Sequence, residues 1–165
     1  MKRRKTLIPI LPAVVVLMFL SVVSMARAGD TIVVIVNNAN PADNLKLGDL
    51  KKLFMSERSR WDTGKAVAPV MVGAGAPERT AFLKIVCGMN DADFNKYFVT
   101  AAFTGKDVTP PKEVRSAKEV KSVVAGSPGA IGFVRASEFS SGDSSIKALK
   151  IEGSATGDTT YKLKM

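Results

Sequence analysis

The chain has 165 residues, with 24 Lys and Arg against 15 Asp and Glu, a formal net charge of +9, one cysteine and no histidine. Without histidine, Ser-His-Asp and Cys-His catalysis and the commonest metal ligand are excluded, and a single cysteine excludes an internal disulfide. A hydrolase or zinc enzyme is not expected, and the sequence offers no catalytic residue, no metal ligand set and no cofactor.

In chain order, Met1-Lys2-Arg3-Arg4-Lys5 is a basic head, residues 7–23 are apolar, and Ala26-Arg27-Ala28 is a small-x-small site before Gly29-Asp30. This three-part pattern predicts a signal peptide over 1–28, cleaved near Ala28, and a periplasmic or secreted domain over 29–165. An uncleaved membrane anchor fits less well, because Pro9 and Pro12 lie near the start of the apolar run. Lys2, Arg3, Arg4, Lys5 and Arg27 leave with the segment, so 19 basic and 15 acidic residues remain and the net charge falls to +4. The remaining charges are mixed in sign, without a basic block, and no nucleic-acid partner is expected.

Residues 31–36, Thr-Ile-Val-Val-Ile-Val, predict a strand buried on both faces, as a covered, mostly parallel sheet requires. Asn37, Asn38 and Asn40 follow its C-terminal end, the usual place for ligands in open α/β sheets. They are candidate binding residues, although asparagine also suits tight turns. Leu50, Leu53 and Phe54 have helical spacing, and Trp61 is either a core residue or, with Arg58 and Arg60, part of a binding edge. Residues 66–72 predict a second buried strand that leads into Gly73-Ala74-Gly75-Ala76 and a helix opening at Pro77, where a missing N–H costs nothing. Gly75, Ala76, Arg79 and Thr80 form a second candidate group, for an anion held by this loop; the alternative for Arg79 is a solvated side chain.

The apolar face of that helix is predicted at Phe82, Ile85, Val86 and Met89, with Cys87 as a small buried hydrophobe. Asn90 is placed to cap a helix carrying Phe94, Tyr97, Phe98, Ala101 and Ala102 on one side. Ser116-Ala117-Lys118-Glu119 matches a capping box before Val120, Val123 and Val124, with Gly126 closing the helix. Residues 131–134 and 147–151 predict the last strands, and Gly129 and Gly132 suggest close backbone packing. The order of elements predicts an α/β fold, a single mostly parallel sheet flanked by helices.

Three stretches resemble the substrate-binding protein of the phosphate ABC transporter and its periplasmic relatives. They are residues 33–41 with Leu50-Lys51-Lys52-Leu53-Phe54 and Trp61-Asp62-Thr63-Gly64; Phe103-Thr104-Gly105 with Pro110-Pro111; and Pro128-Gly129-Ala130-Ile131-Gly132-Phe133-Val134, continued by 146–153. The resemblance implies one lobe of a type II periplasmic binding protein, a phosphate-class anion as ligand and an ABC permease, or another periplasmic or membrane protein, as partner. The other lobe's Thr-Gly-Ala-Ser loop and aspartate have no counterpart. Where the family has Ser-Gly-Thr at a helix N-terminus, counting back from Phe82 gives Ala76, Pro77 and Glu78, and the preceding arginine falls at Val72 or Gly73. Losing three charge-assisted donors would cost on the order of 5 kcal/mol, several decades of affinity. Glu78 either repels phosphate or complements the helix dipole.

Two functions are therefore expected. The first is non-catalytic binding of a small anion in ABC-type uptake; the alternative is an accessory module that kept the fold and lost the ligand. A missing lobe also predicts an apolar face covered by self-association or by a partner.

Overall fold

The computed structural model describes residues 31–165; the predicted signal segment and its cleavage site lie outside the described residues. The β-branched run becomes β1 (Ile32–Asn37), buried along its whole length. There follow β2 (Asn44–Leu45), α1 (Leu47–Phe54), β3 (Ala68–Val72) and α2 (Pro77–Phe82), which runs on as a π-helical turn over Leu83–Cys87. The remainder is α3 (Asp91–Phe103), β4 (Lys112–Val114), α4 (Ala117–Gly126), β5 (Ala130–Arg135), β6 (Ile146–Ala148) and β7 (Lys150–Ile151).

Five strands form one sheet in the order β4-β3-β5-β1-β6, while β2 and β7 pair separately in parallel. β3 is parallel to β4 and β5, whereas β1 is antiparallel to both β5 and β6. Four strands thus share one direction and β1 alone opposes them. The expected mostly parallel, helix-flanked sheet is present, and the reversal of β1 decides where its ends lie.

Side-chain alternation divides the core into two layers. Ile32, Val34, Val36, Met71, Ile131 and Phe133 face α1, α2 and α3. Val33, Ile35, Val70, Val72, Ala130 and Val134 face α4 with Val120 and Val124. The first layer centres on Phe54, Phe82 and Phe133; the last two rings stack with centroids 4.0 Å apart and planes 8° from parallel. Gly132 lets α4 sit down on the sheet, since a Cβ there would lie 2.6 Å from Val120 Cγ1. At Gly129 a Cβ would meet the Ala66 carbonyl oxygen at 2.1 Å. Trp61 is core, and its Nε1 donates to the Gly129 carbonyl at 3.0 Å.

Several local expectations need correction. The π turn adds a residue to one helical turn, so Leu83 and Cys87 are buried with Phe82 and Val86, while Ile85 and Met89 are only half-buried. Ala102 is exposed. Ser116 accepts from the Glu119 N–H as expected, but Glu119 reaches back to the N–H of Arg115 instead of closing the box on Ser116. Residues 147–151 are not one strand. Leu149 lies between β6 and β7, and Lys150 turns aside to donate its N–H to Asp43.

The C-terminal tail, which carries no periodicity, closes the fold. Tyr161 and Leu163 are buried, Tyr161 Oη donates to the Ile32 carbonyl at 2.9 Å, and the Ile32 N–H donates to the Leu163 carbonyl at 2.9 Å.

Candidate functional site

β3 and β4 run in parallel and end side by side at Val72 and Val114, where the Gly73 N–H donates to the Val114 carbonyl at 2.9 Å. β3 then enters the 73–76 loop, in which Gly75 has φ +88°, and β4 enters Ser116, the N-cap of α4. Both helices therefore open on one edge of the sheet. Between them lies a cavity of about 480 Å³, lined by the loop backbone and by Glu113, Arg115 and Glu119. α2 opens at Pro77 without a side-chain cap, because Ala76 occupies the capping position.

Arg79 projects from α2 into the protein and its side chain is fully buried, which overturns the solvated alternative. Nε donates to Asp91 Oδ1 at 2.5 Å, and Nη1 donates to Glu113 Oε1 at 2.6 Å and to the Val72 carbonyl at 3.1 Å. Its guanidinium also lies 5.8 Å from the centroid of Phe94. Nη2 has no hydrogen-bond partner among the described residues. One cation thus ties α2 to β3, β4 and α3, and two carboxylates compensate a charge that would be costly to bury alone.

Glu78 is buried too, and is claimed by a partner the sequence did not suggest. Arg135, at the end of β5, places Nε 2.9 Å and Nη2 2.8 Å from Glu78 Oε2. The carboxylate of Glu78 does not line the cavity. Thr80 is exposed on α2, its N–H bonded to the Ala76 carbonyl at 3.0 Å.

The asparagines lie elsewhere. Since β1 runs against β3 and β5, its C-terminal end sits at the edge where the parallel strands begin, with Val36 opposite Ile131. Asn37 Nδ2 donates to the carbonyls of Val124 at 3.0 Å and Ala125 at 2.8 Å, satisfying the last turn of α4. Asn40 Nδ2 donates to Pro128 at 3.3 Å and its Oδ1 accepts the Ala42 N–H at 3.0 Å; Asn38 is exposed in the turn. α4 spans the distance between the two groups, starting beside the 73–76 loop and ending against Asn37. Of the loop group only Ala76 lines the cavity, while Gly75, Arg79 and Thr80 do not, and Asn37, Asn38 and Asn40 lie at the opposite end of the sheet. Sequence reasoning missed Glu113, Arg115 and Glu119, which line the cavity, and Asp91 and Arg135, which pair with Arg79 and Glu78. Only Glu119 had a local signal, its capping spacing from Ser116.

Among the described residues, no group of three or more Asp, Glu, Cys or His side chains could hold a metal ion, and no helix is long and apolar enough to cross a membrane. Cys87 is buried, and desolvation pushes its thiol up to about 11.

No family model matches the sequence. Similar folds occur in an ABC-type phosphate transport receptor from Vibrio cholerae (TM-score 0.62, 23% identity, 77% of this chain and 48% of that one). A Clostridium perfringens protein described as a phosphate ABC transporter substrate-binding protein, with bound phosphate, gives TM-score 0.61 and 24% identity over 77% of this chain and 47% of that one. PstS from Borrelia burgdorferi gives TM-score 0.60 and 12% identity over 76% of this chain and 49% of that one. The chain spans slightly less than half the length of each of these proteins. At such identities the likeness is one of fold, and over half a protein's length it fits one lobe: the chain has the fold of part of a phosphate-type substrate-binding protein.

Proposed function

We propose that residues 1–28 direct export, that 29–165 form a non-catalytic module of the periplasm or cell exterior, and that this module works by contact with an envelope protein. The permease of an ABC-type transporter is the partner class suggested by the proteins it resembles. The observation that carries this reading is the state of Arg79. The cation carried by the helix that follows the loop is buried and held by Asp91, Glu113 and the Val72 carbonyl. The loop itself supplies no hydroxyl, and Pro77 supplies no N–H. The cavity beside it carries two carboxylates against one arginine, a balance that disfavours a dianion.

A second reading, weak binding of a phosphate-class anion, is favoured by Arg115 and the loop backbone in the same cavity. Isothermal titration with phosphate and sulfate separates the two. The accessory reading expects no phosphate binding tighter than roughly millimolar, and micromolar affinity in the unmodified protein would overturn it. Ala76→Ser with Pro77→Gly should strengthen binding measurably, by adding a hydroxyl at a position that lines the cavity and a backbone N–H beside it, while Glu78 keeps its pairing with Arg135. N-terminal sequencing of the exported protein should begin at Gly29.

A further inference from the structure

α3 is apolar on two faces. Phe94, Phe98 and Ala101 are buried on one; on the other, Phe103 is 88% exposed and Val99 56%. A lone exposed hydrophobe is ordinary, but Lys96, Val99 and Phe103 follow helical spacing and form a continuous ridge. Beside it runs a shallow groove of about 410 Å³, lined by Asp93, Lys96, Tyr97, Thr100, Thr104 and Lys106. Asp93 lies in the first turn and Lys106 just beyond the last, at the two ends of the groove, while Asp91 is engaged by Arg79 and Asp107 follows Lys106 outside the groove lining.

We propose that this ridge docks a second copy of the chain, the two α3 helices packing antiparallel across a two-fold axis. The surface is self-complementary in that orientation. Antiparallel packing sets Asp93 of each copy opposite Lys106 of the other, and lays each Phe103 ring on the aliphatic stem of the other copy's Lys96, beside its Val99. The ammonium of Lys96 can then also meet the ring face. Parallel packing would oppose Asp93 to Asp93 and Lys106 to Lys106. An interface of this kind is isologous, so each favourable contact occurs twice and the assembly closes at two copies. A membrane surface suits the ridge less, because Asp93 would face anionic headgroups. One pair of helices about 20 Å long falls short of the ~1,200 Å² of a standard interface, and the dimer is correspondingly weak, with a Kd on the order of 100 μM. The contact does not depend on whether the 73–76 loop binds an anion.

Sedimentation equilibrium of the purified protein from micromolar to millimolar concentration tests this. A monomer–dimer equilibrium is expected. Phe103→Glu should weaken it at least tenfold while leaving the melting temperature unchanged, since the side chain is outside the core. Asp93→Lys and Lys106→Asp should each weaken it, and the two together should restore most of the wild-type affinity. A strict monomer at millimolar concentration, or a dimer indifferent to Phe103→Glu, would overturn the proposal. So would a charge swap that fails to rescue, because the antiparallel register rests on those pairs.

Discussion

At the scale of single residues, Arg79 shows why residue type and role can part company. Its place after a glycine-rich loop reads as anion chemistry, yet its partners lie 12 and 34 residues onward, in Asp91 and Glu113. Pairing over such distances leaves no local spacing to detect. Arg79→Ala should destabilise the protein by about 3 kcal/mol, by removing a buried cation that two carboxylates were arranged around. Arg79→Lys should recover little, because an ammonium cannot make the same forked contacts. Urea denaturation midpoints at constant slope would show both effects. The burial of Cys87, by contrast, was legible from its position at the end of an apolar pattern. Its proton is held to about pH 11 in the folded state, against an ordinary value of 9.0. Between those values the unfolded chain binds fewer protons, so stability must fall as pH rises, by about 2–3 kcal/mol at most. Tyr161, also raised chiefly by burial, extends the loss beyond pH 10. Thermal melts from pH 8 to 11 should show the decline, and Cys87→Ala should remove its lower part.

At the scale of elements, periodicity located α1, α3 and α4, capping residues marked the starts of α3 and α4, and Pro77 marked that of α2, while the 3-10 turn at Ala136–Glu138 carried no such signal. What escaped were elements too short to carry a period: β2 with two residues and β4 with three exist because neighbouring strands pair with them. The π turn after α2 escaped for a related reason, since it changes the helical period that the apolar pattern was read against. The seat of α4 on β5 is a prediction at this scale. Gly132→Ala should cost about 1–3 kcal/mol through overpacking against Val120 and Val70. Val120→Ala in the same protein should cost less than the sum of the two single changes, because the shortened side chain makes room for the new methyl. A double-mutant cycle that came out additive would show that α4 shifts as a body instead.

At the scale of the whole molecule, fold class and layer order followed from strand and helix signals, and the likeness to phosphate-type binding proteins followed from three ordered stretches. The direction of β1 did not, because a strand buried on both faces looks the same in either orientation. That single reversal separates the asparagine turn from the 73–76 loop. The closing tail was likewise illegible, since Tyr161 and Leu163 sit in an aperiodic, polar stretch. Tyr161→Phe should lower stability by about 1–2 kcal/mol, by leaving the Ile32 carbonyl without its donor. Ending the chain before Tyr161 should cost far more, since it uncovers the start of β1.

The path of that tail bears on how the chain is made. β1 is the first described strand, yet its neighbours begin at Ala130 and Ile146, and the peptide group of Ile32 waits for Tyr161 and Leu163. No early fragment can complete the sheet, because β1 has no strand to pair with until Ala130–Arg135 has been made, and its first peptide group lacks its last partners until the tail arrives. Such long sequence separations slow folding and leave an apolar, β-prone segment uncovered during synthesis. Under the export proposed for residues 1–28, this order of events would suit a chain that crosses a membrane before its sheet can close.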